Sequence, residues 1–516
     1  MDSTFASFMA NQYGWSEPSL ELGRAAYPPE AGQPQRLAEV NVRLPLALGN
    51  RHGLIAGATG TGKTRTLQGM AEQLSLNGVP VFLADIKGDL SGLAQPGVTN
   101  AKLQDRCSKL GISFQGREFP VEFLSLSGKN GIPLRATVSS FGPILLSKVL
   151  GLNETQQSSL TMVFKFCDDR QLPLLDFSDL RAVLTYLTGD GAAELKTYGG
   201  LSTTSVGVLL RKMVELETQG GDKFFGEPEF DPDDLLRTAP DGRGIISILE
   251  IADLQDRPML FSTFMMWLLA ALYCDLPERG DVDKPILAFF FDEAHFLFDG
   301  ASKAFLDQLQ QVVRLIRSKG VGVYFVTQTP KDVDTDVLAQ LGHRVQHALR
   351  AFTPNDAKAL KATVATFPIT KFYDLEETLT TLGIGEALIT VLDPRGVPTS
   401  PVATVLRPPQ SFMGPAPPEM MDQIIRSSPL YKKYSTPIDR ESARELLAKK
   451  MMDIPDDEPI AKRQPAQPKE EGMLDKVADV INSPLGRQIG REVVRGLFGL
   501  LGPTPKRRTR RRTGLW

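Results

Sequence analysis

The sequence predicts a doubly wound α/β fold with a mostly parallel sheet, and two observations carry that prediction. Short apolar runs alternate with helix-like stretches from residue 53 onward. Several of those runs are continuously apolar rather than alternating, as expected of strands covered by helices on both faces. The 516 residues suffice for a large core and several domains, and 42% hydrophobic with 23% charged residues describes an ordinary globular composition.

Taken in order, residues 1–50 read as an irregular N-terminal segment, with turn signals at Pro28-Pro29 and Gly32-Gln33-Pro34. The strand candidates are 53–56, 79–85, 121–126, 244–251, 285–292, 321–328 and 344–349. A core is expected over 51–135 and 241–410, interrupted by a helical insertion at 136–240 in which 155–160 open one helix and 177–187 form another. Residues 388–392 and 402–406, joined by Asp393-Pro394-Arg395-Gly396, suggest a closing hairpin. Pro408-Pro409 and the prolines of 415–418 mark a boundary before a helical C-terminal extension, 411–452. Within it, Pro437 after Thr436 reads as the start of a helix over 438–451. Residues 453–472, rich in Pro, Glu, Asp and Lys, read as a flexible linker. Residues 473–516 read as an amphipathic, glycine-bearing helix and a basic tail.

That tail, 506–512, carries +6 in a chain whose net charge is −3, which leaves the remainder at about −9. It is the polyanion-seeking feature of the chain, and 474–516 also suits a protein partner or a membrane surface; packing on the protein's own core is the competing reading. Three scattered cysteines indicate a reducing compartment without a disulfide framework. The four histidines form no zinc pattern, and His343 and His347 fall in a strand candidate. No secretory signal opens the sequence, and the uncharged run 259–273 reads as a buried helix, so a cytoplasmic protein is expected.

Chemistry concentrates in two places. Gly57-Ala58-Thr59-Gly60-Thr61-Gly62-Lys63-Thr64 matches the phosphate-binding pattern G-x-x-x-x-G-K-[ST] between a strand and a helix. Backbone N–H groups of Gly57, Thr59, Gly60, Thr61 and Gly62 would close around phosphate oxygens; Lys63 would reach the β/γ-phosphates and Thr64 would hold Mg²⁺. The second place is the run 285–291, which ends in Asp292-Glu293. Asp292 would bind Mg²⁺ and Glu293 would polarise the attacking water, with an ordinary strand end as the alternative. Asp85 ends another strand on the same expected edge, where a helix N-cap role competes with nucleotide binding. Gln328 ends the strand 321–326 and could sense the γ-phosphate; a satisfied loop amide is the alternative. Arg317, then Arg314 and Arg350, are candidates for an arginine that reaches a neighbouring subunit's phosphates, against a solvated helical face.

These motifs, with Asp85-Ile86-Lys87-Gly88-Asp89-Leu90, Phe291-Asp292-Glu293-Ala294-His295 and the run from Arg317 to Pro330, resemble the HerA/FtsK group of P-loop ATPases. The similarity is closest to HerA-like bacterial proteins of the YjgR type and covers roughly 40–410. It implies a RecA-like core, a further strand between those bearing the two acidic motifs, ATP and Mg²⁺ as ligands, and a homo-oligomeric, usually hexameric ring acting on double-stranded DNA. It also implies Glu293 as catalytic glutamate, Gln328 as sensor and Arg317 as finger. HerA helicases carry a β-barrel before the ATPase core, and about fifty residues before the loop are too few for one.

Overall fold

The computed structural model describes residues 2–28, 35–195, 198–280, 282–298 and 303–452. The linker expected at 453–472 and the helix and basic tail expected at 473–516 lie outside the described residues, as does the turn at 32–34.

Twelve strands form one sheet: β1 (Ser19–Ala26), β2 (Leu37–Pro45), β3 (Gly53–Ala56), β4 (Val81–Asp85), β5 (Val121–Ser125), β6 (Ile132–Pro133), β7 (Ile246–Glu250), β8 (Leu287–Phe291), β9 (Val321–Thr327), β10 (His343–His347), β11 (Glu386–Thr390) and β12 (Val402–Leu406). Their order is β2-β1-β12-β11-β10-β3-β9-β8-β4-β7-β5-β6. The strands from β10 to β6 are parallel. Those from β11 to β2 continue the sheet antiparallel. Every residue of β4, β7, β8 and β9 is buried, which explains why these strands read as unbroken apolar runs.

The register aligns the strand ends that matter. Ala56 sits opposite Thr327 and Gln346, Phe291 opposite Ala84 and Phe325, and Asp85 opposite Glu250. One edge of the sheet therefore carries the loop after β3 and the ends of β8, β9, β4 and β7, the place where open α/β sheets bind ligands. β4 and β8 are direct neighbours, so no strand separates the two acidic motifs. The intervening strand is β9, between the phosphate-loop strand and β8.

Between β6 and β7 the chain is helical, over Val138–Val149, Glu154–Asp169, Phe177–Thr188 and Thr203–Leu216. Caps set these starts: Thr137 and Ser202 accept from N–H groups three residues on, and Asn153–Gln156 and Asp176–Asp179 form reciprocal boxes. The helix Pro258–Asp275 packs its Trp267 against Phe141 and its Phe264 against Phe224 of this region. It is longer than the apolar run 259–273, and among the described residues it alone is long and apolar enough to cross a membrane; 56% of it is buried inside the protein.

Three further expectations are corrected. Residues 1–50 are not irregular: a helix, Asp2–Tyr13, precedes β1 and β2, which extend the sheet. The Tyr13 hydroxyl lies on the carbonyls of Ile389 (3.1 Å) and Ser400 (2.7 Å), which ties this segment to the closing hairpin. Pro408-Pro409 is no break, because Gln410 and Ser411 N–H groups donate to the buried Glu72 at 2.7 and 2.9 Å. The last helix begins at Ala443, not after Pro437. Ser442 and Glu445 supply its cap through a 3.0 Å bond, and Arg440 before it is ion-paired with Glu227.

Candidate functional site

The chain's own backbone contacts fix the shape of the phosphate loop. Gly57, Gly60 and Gly62 hold φ of 153°, 79° and 111°, a region where a side chain is strained. At Gly57 space is also exclusive, since a Cβ there would stand 2.4 Å from the His347 Cβ. Four neighbouring residues anchor the loop. Gly57 N–H donates to the carbonyls of Thr327 (3.2 Å) and Gln328 (3.1 Å), Ala58 N–H to Ala348 O (2.9 Å), and Thr61 O accepts from Gly385 N–H (2.9 Å). Thr59 and Gly60 are exposed at the tip. The helix Lys63–Leu76 starts directly after Gly62, which aims its free N–H groups at the loop, and Thr64 is half-buried in its first turn.

Lys63 folds back on this loop, its Nζ donating to Gly57 O (2.8 Å) and Ala58 O (3.3 Å). Burial pulls its pKa below the usual lysine value, opposed by Glu293 and Asp292 across the crevice. His343 and His347 are framework. His347 bonds Thr66 Oγ1 at 2.9 Å, and burial, then Lys63, lowers its pKa to about 4; His343 bonds Leu48 O at 2.8 Å.

Asp292 follows β8 and is 2% exposed. Its Oδ1 accepts the Glu293 N–H at 3.0 Å, while Oδ2 is buried without a hydrogen-bond partner. Burial lifts its pKa to about 7; Lys87 opposes this, and Glu293 and Asp85 add to it. An orphaned buried carboxylate oxygen beside a phosphate loop fits Mg²⁺, which takes one or two protein groups and completes its shell with phosphate and water. Among the described residues no cluster of three or more acidic, His or Cys side chains would hold a metal by itself. Glu293 is buried with φ of 48°, uncommon for a non-glycine residue and typical of functional positions. Its Oε1 pairs with Lys87 Nζ, and its Oε2 faces His295 Nδ1 at 3.4 Å.

Asp85 is placed differently from the expectation of nucleotide binding. Its Oδ1 accepts the N–H groups of Lys87 (3.0 Å) and Gly88 (2.8 Å), and Oδ2 that of Leu90 (2.8 Å). With both oxygens taken, it organises the 86–90 turn, and burial raises its pKa against those bonds. The turn in turn carries Lys87 to Glu293. Burial works against the Lys87 charge, but Glu293 and then Asp292 outweigh it and hold its pKa above the usual value.

Gln328 is exposed directly after Thr327 and touches the loop through its carbonyl. Arg314 and Arg317 are exposed beyond the opposite end of β9, where Arg317 O accepts from Asn50. The seven residues of β9 put roughly 20 Å between them and Gln328. They do not join the site of their own chain. Arg350 lies two residues after Ala348, on the loop side, its guanidinium on Thr380 O at 2.8 Å.

Sequence reasoning gave no role to two residues. Lys87 lies two positions after a strand-ending Asp, a spacing that signals little without the turn. Glu250 ends the apolar strand β7 as Asp292 follows β8, a signal that was there to read.

Two solved structures align with most of this chain. The bacterial conjugative coupling protein TrwBdeltaN70, in an unbound monoclinic form, is 15% identical over 78% of this chain and 99% of its own, with a TM-score of 0.49. VirB4 of Thermoanaerobacter pseudethanolicus is 17% identical over 79% and 99%, with a TM-score of 0.43. No curated protein matches the chain. The model of the helicase HerA-like C-terminal family, however, matches residues 30–494, nearly the whole sequence. With its phosphate loop and its strand-end carboxylates on one sheet edge, the chain belongs to this HerA-like helicase family of P-loop ATPases.

Proposed function

We propose that this protein is a motor that hydrolyses ATP and moves on double-stranded DNA as a homo-oligomeric, hexameric ring. One observation carries the hydrolytic part: Lys63 of the helix after the phosphate loop and the pair Asp292–Glu293 after β8 share one crevice, close enough for the two carboxylates to act on the lysine's charge. The loop 57–62 and Lys63 bind the phosphates, and Thr64 and Asp292 hold Mg²⁺, which neutralises charge developing on the phosphates. Glu293 orients and polarises the attacking water, and Gln328 reads the γ-phosphate from the end of β9. Arg317, set away from its own crevice, serves the neighbour's. The strands from β10 to β7 form the motor core, and the helical region 136–240 is an insertion in it. Family membership supports DNA as the track, and backbone contact by scattered basic side chains needs no groove-reading motif.

The test is steady-state ATP turnover with and without duplex DNA at low and high salt. Duplex DNA should accelerate turnover at low salt and lose this effect as salt screens phosphate contacts. Glu293→Gln should still bind ATP but turn over at least ~100-fold more slowly. Turnover indifferent to DNA at every salt concentration would remove the track from the proposal, and normal turnover by Glu293→Gln would remove the water-polarising role.

A further inference from the structure

Lys87 sits where catalysis needs something else. Its Nζ is on Glu293 Oε1, one of the two oxygens through which a water-polarising carboxylate can accept the water's proton, and the other, Oε2, is buried facing His295. That water has to stand between Glu293 and the γ-phosphorus, so the ammonium occupies the space of the water or borders it. The contact is not an accident of a loose side chain. Asp85 pins the turn 86–90 with three N–H bonds, and the turn holds Lys87 over the crevice. Glu293, for its part, is buried and fixed in a left-handed backbone conformation. Lys87 itself is 46% exposed, so the Nζ can leave along the crevice without unpacking anything. The strongest anion that enters that crevice is a triphosphate, and Lys87 already lies close enough to Lys63 to disfavour its charge.

We propose that Lys87 is a two-position lysine that latches Glu293 in the nucleotide-free site and transfers to the γ-phosphate when ATP binds, freeing the carboxylate for water. This rests on the roles given above to Lys63 and Glu293. It adds a second phosphate-seeking lysine and makes Lys87 a positioning residue for the general base. A diphosphate ends short of that position, so it cannot draw Lys87 away; the latch therefore discriminates ATP from ADP.

The experiment measures binding of Mg²⁺ with ADP and with a β,γ-imido ATP analogue to the full chain by calorimetry, for the wild type and five variants. Lys87→Met should lower the preference for the triphosphate about tenfold, the scale of one charge-assisted phosphate contact, with ADP affinity nearly unchanged. Lys87→Arg, which keeps the charge and reach, should restore most of the preference. Glu293→Gln weakens the latch and should raise the preference, and this gain should vanish in Glu293→Gln/Lys87→Met. An unchanged preference in Lys87→Met, or the same gain from Glu293→Gln with and without Lys87, overturns the latch. Failure of the underlying site reading looks different: Lys63→Ala would then bind both nucleotides as well as the wild type does.

Discussion

Three acids close neighbouring strands, and their surroundings give each a different chemistry. Asp85 spends both oxygens on backbone N–H groups, Asp292 keeps one oxygen free, and Glu250 has a buried Oε1 with no partner. Burial, reinforced by Asp85 and Asp253, raises the Glu250 pKa to about 8. Its folded pKa thus lies above its unfolded value, and the folded state binds the extra proton. Stability from this group is intact below the unfolded carboxyl pKa, near 4.5, falls as pH rises through the window up to about 8, and levels off above it. Glu250→Gln removes the proton exchange. In urea unfolding of ligand-free protein at pH 5 and pH 8.5, the variant should lose less stability between the two than the wild type, by on the order of 3 kcal/mol. Equal losses would mean that Glu250 is ionised in the fold.

At the scale of elements, what could be read depended on how a strand is covered. β3, β4, β7, β8 and β9 announced themselves because both faces are buried, and β12 matched its expected span of 402–406 in full. β1 and β2 did not, because they are partly exposed and carry Glu21, Arg24, Glu39, Asn41 and Arg43 among their apolar residues. Period-two alternation in Leu37–Pro45 was the available signal. The phosphate loop was legible because its glycines and lysine are required by backbone geometry and charge. The Lys87–Glu293 pair was not, because it joins residues 206 apart in the chain. The missed N-terminal segment is held by a small polar cluster: Tyr13 Oη lies on Ile389 O and Ser400 O and accepts from Thr399 Oγ1 at 2.8 Å. Tyr13→Phe keeps the packing and removes the hydroxyl from a buried network. Chemical unfolding should register a loss of about 1–3 kcal/mol, and a variant as stable as the wild type would show that the helix Asp2–Tyr13 is held by packing alone.

At the scale of the whole molecule, the position of Arg317 bears on how the sites of the proposed ring would be completed. It stands beyond the N-terminal end of β9, whereas the crevice lies at the C-terminal end, so no side-chain motion brings it to its own nucleotide. The proposed ring would place one subunit's far surface against the next subunit's crevice, and a heterologous, closing interface of that kind would give every site one finger from its neighbour. This geometry has a consequence that single variants cannot show. Lys63→Ala subunits bind no nucleotide but keep Arg317; Arg317→Ala subunits bind nucleotide but offer no finger. Each alone should form inactive assemblies. Co-assembled in equal amounts, an Arg317→Ala site preceded by a Lys63→Ala neighbour is complete, so about a quarter of wild-type turnover should return if sites fire independently. A cooperative ring returns less, but more than either parent. If the mixture stays as inactive as its components while mixed assemblies are verified by native mass spectrometry, Arg317 is not the finger, and Arg314 and Arg350 are the residues to exchange next in the same design.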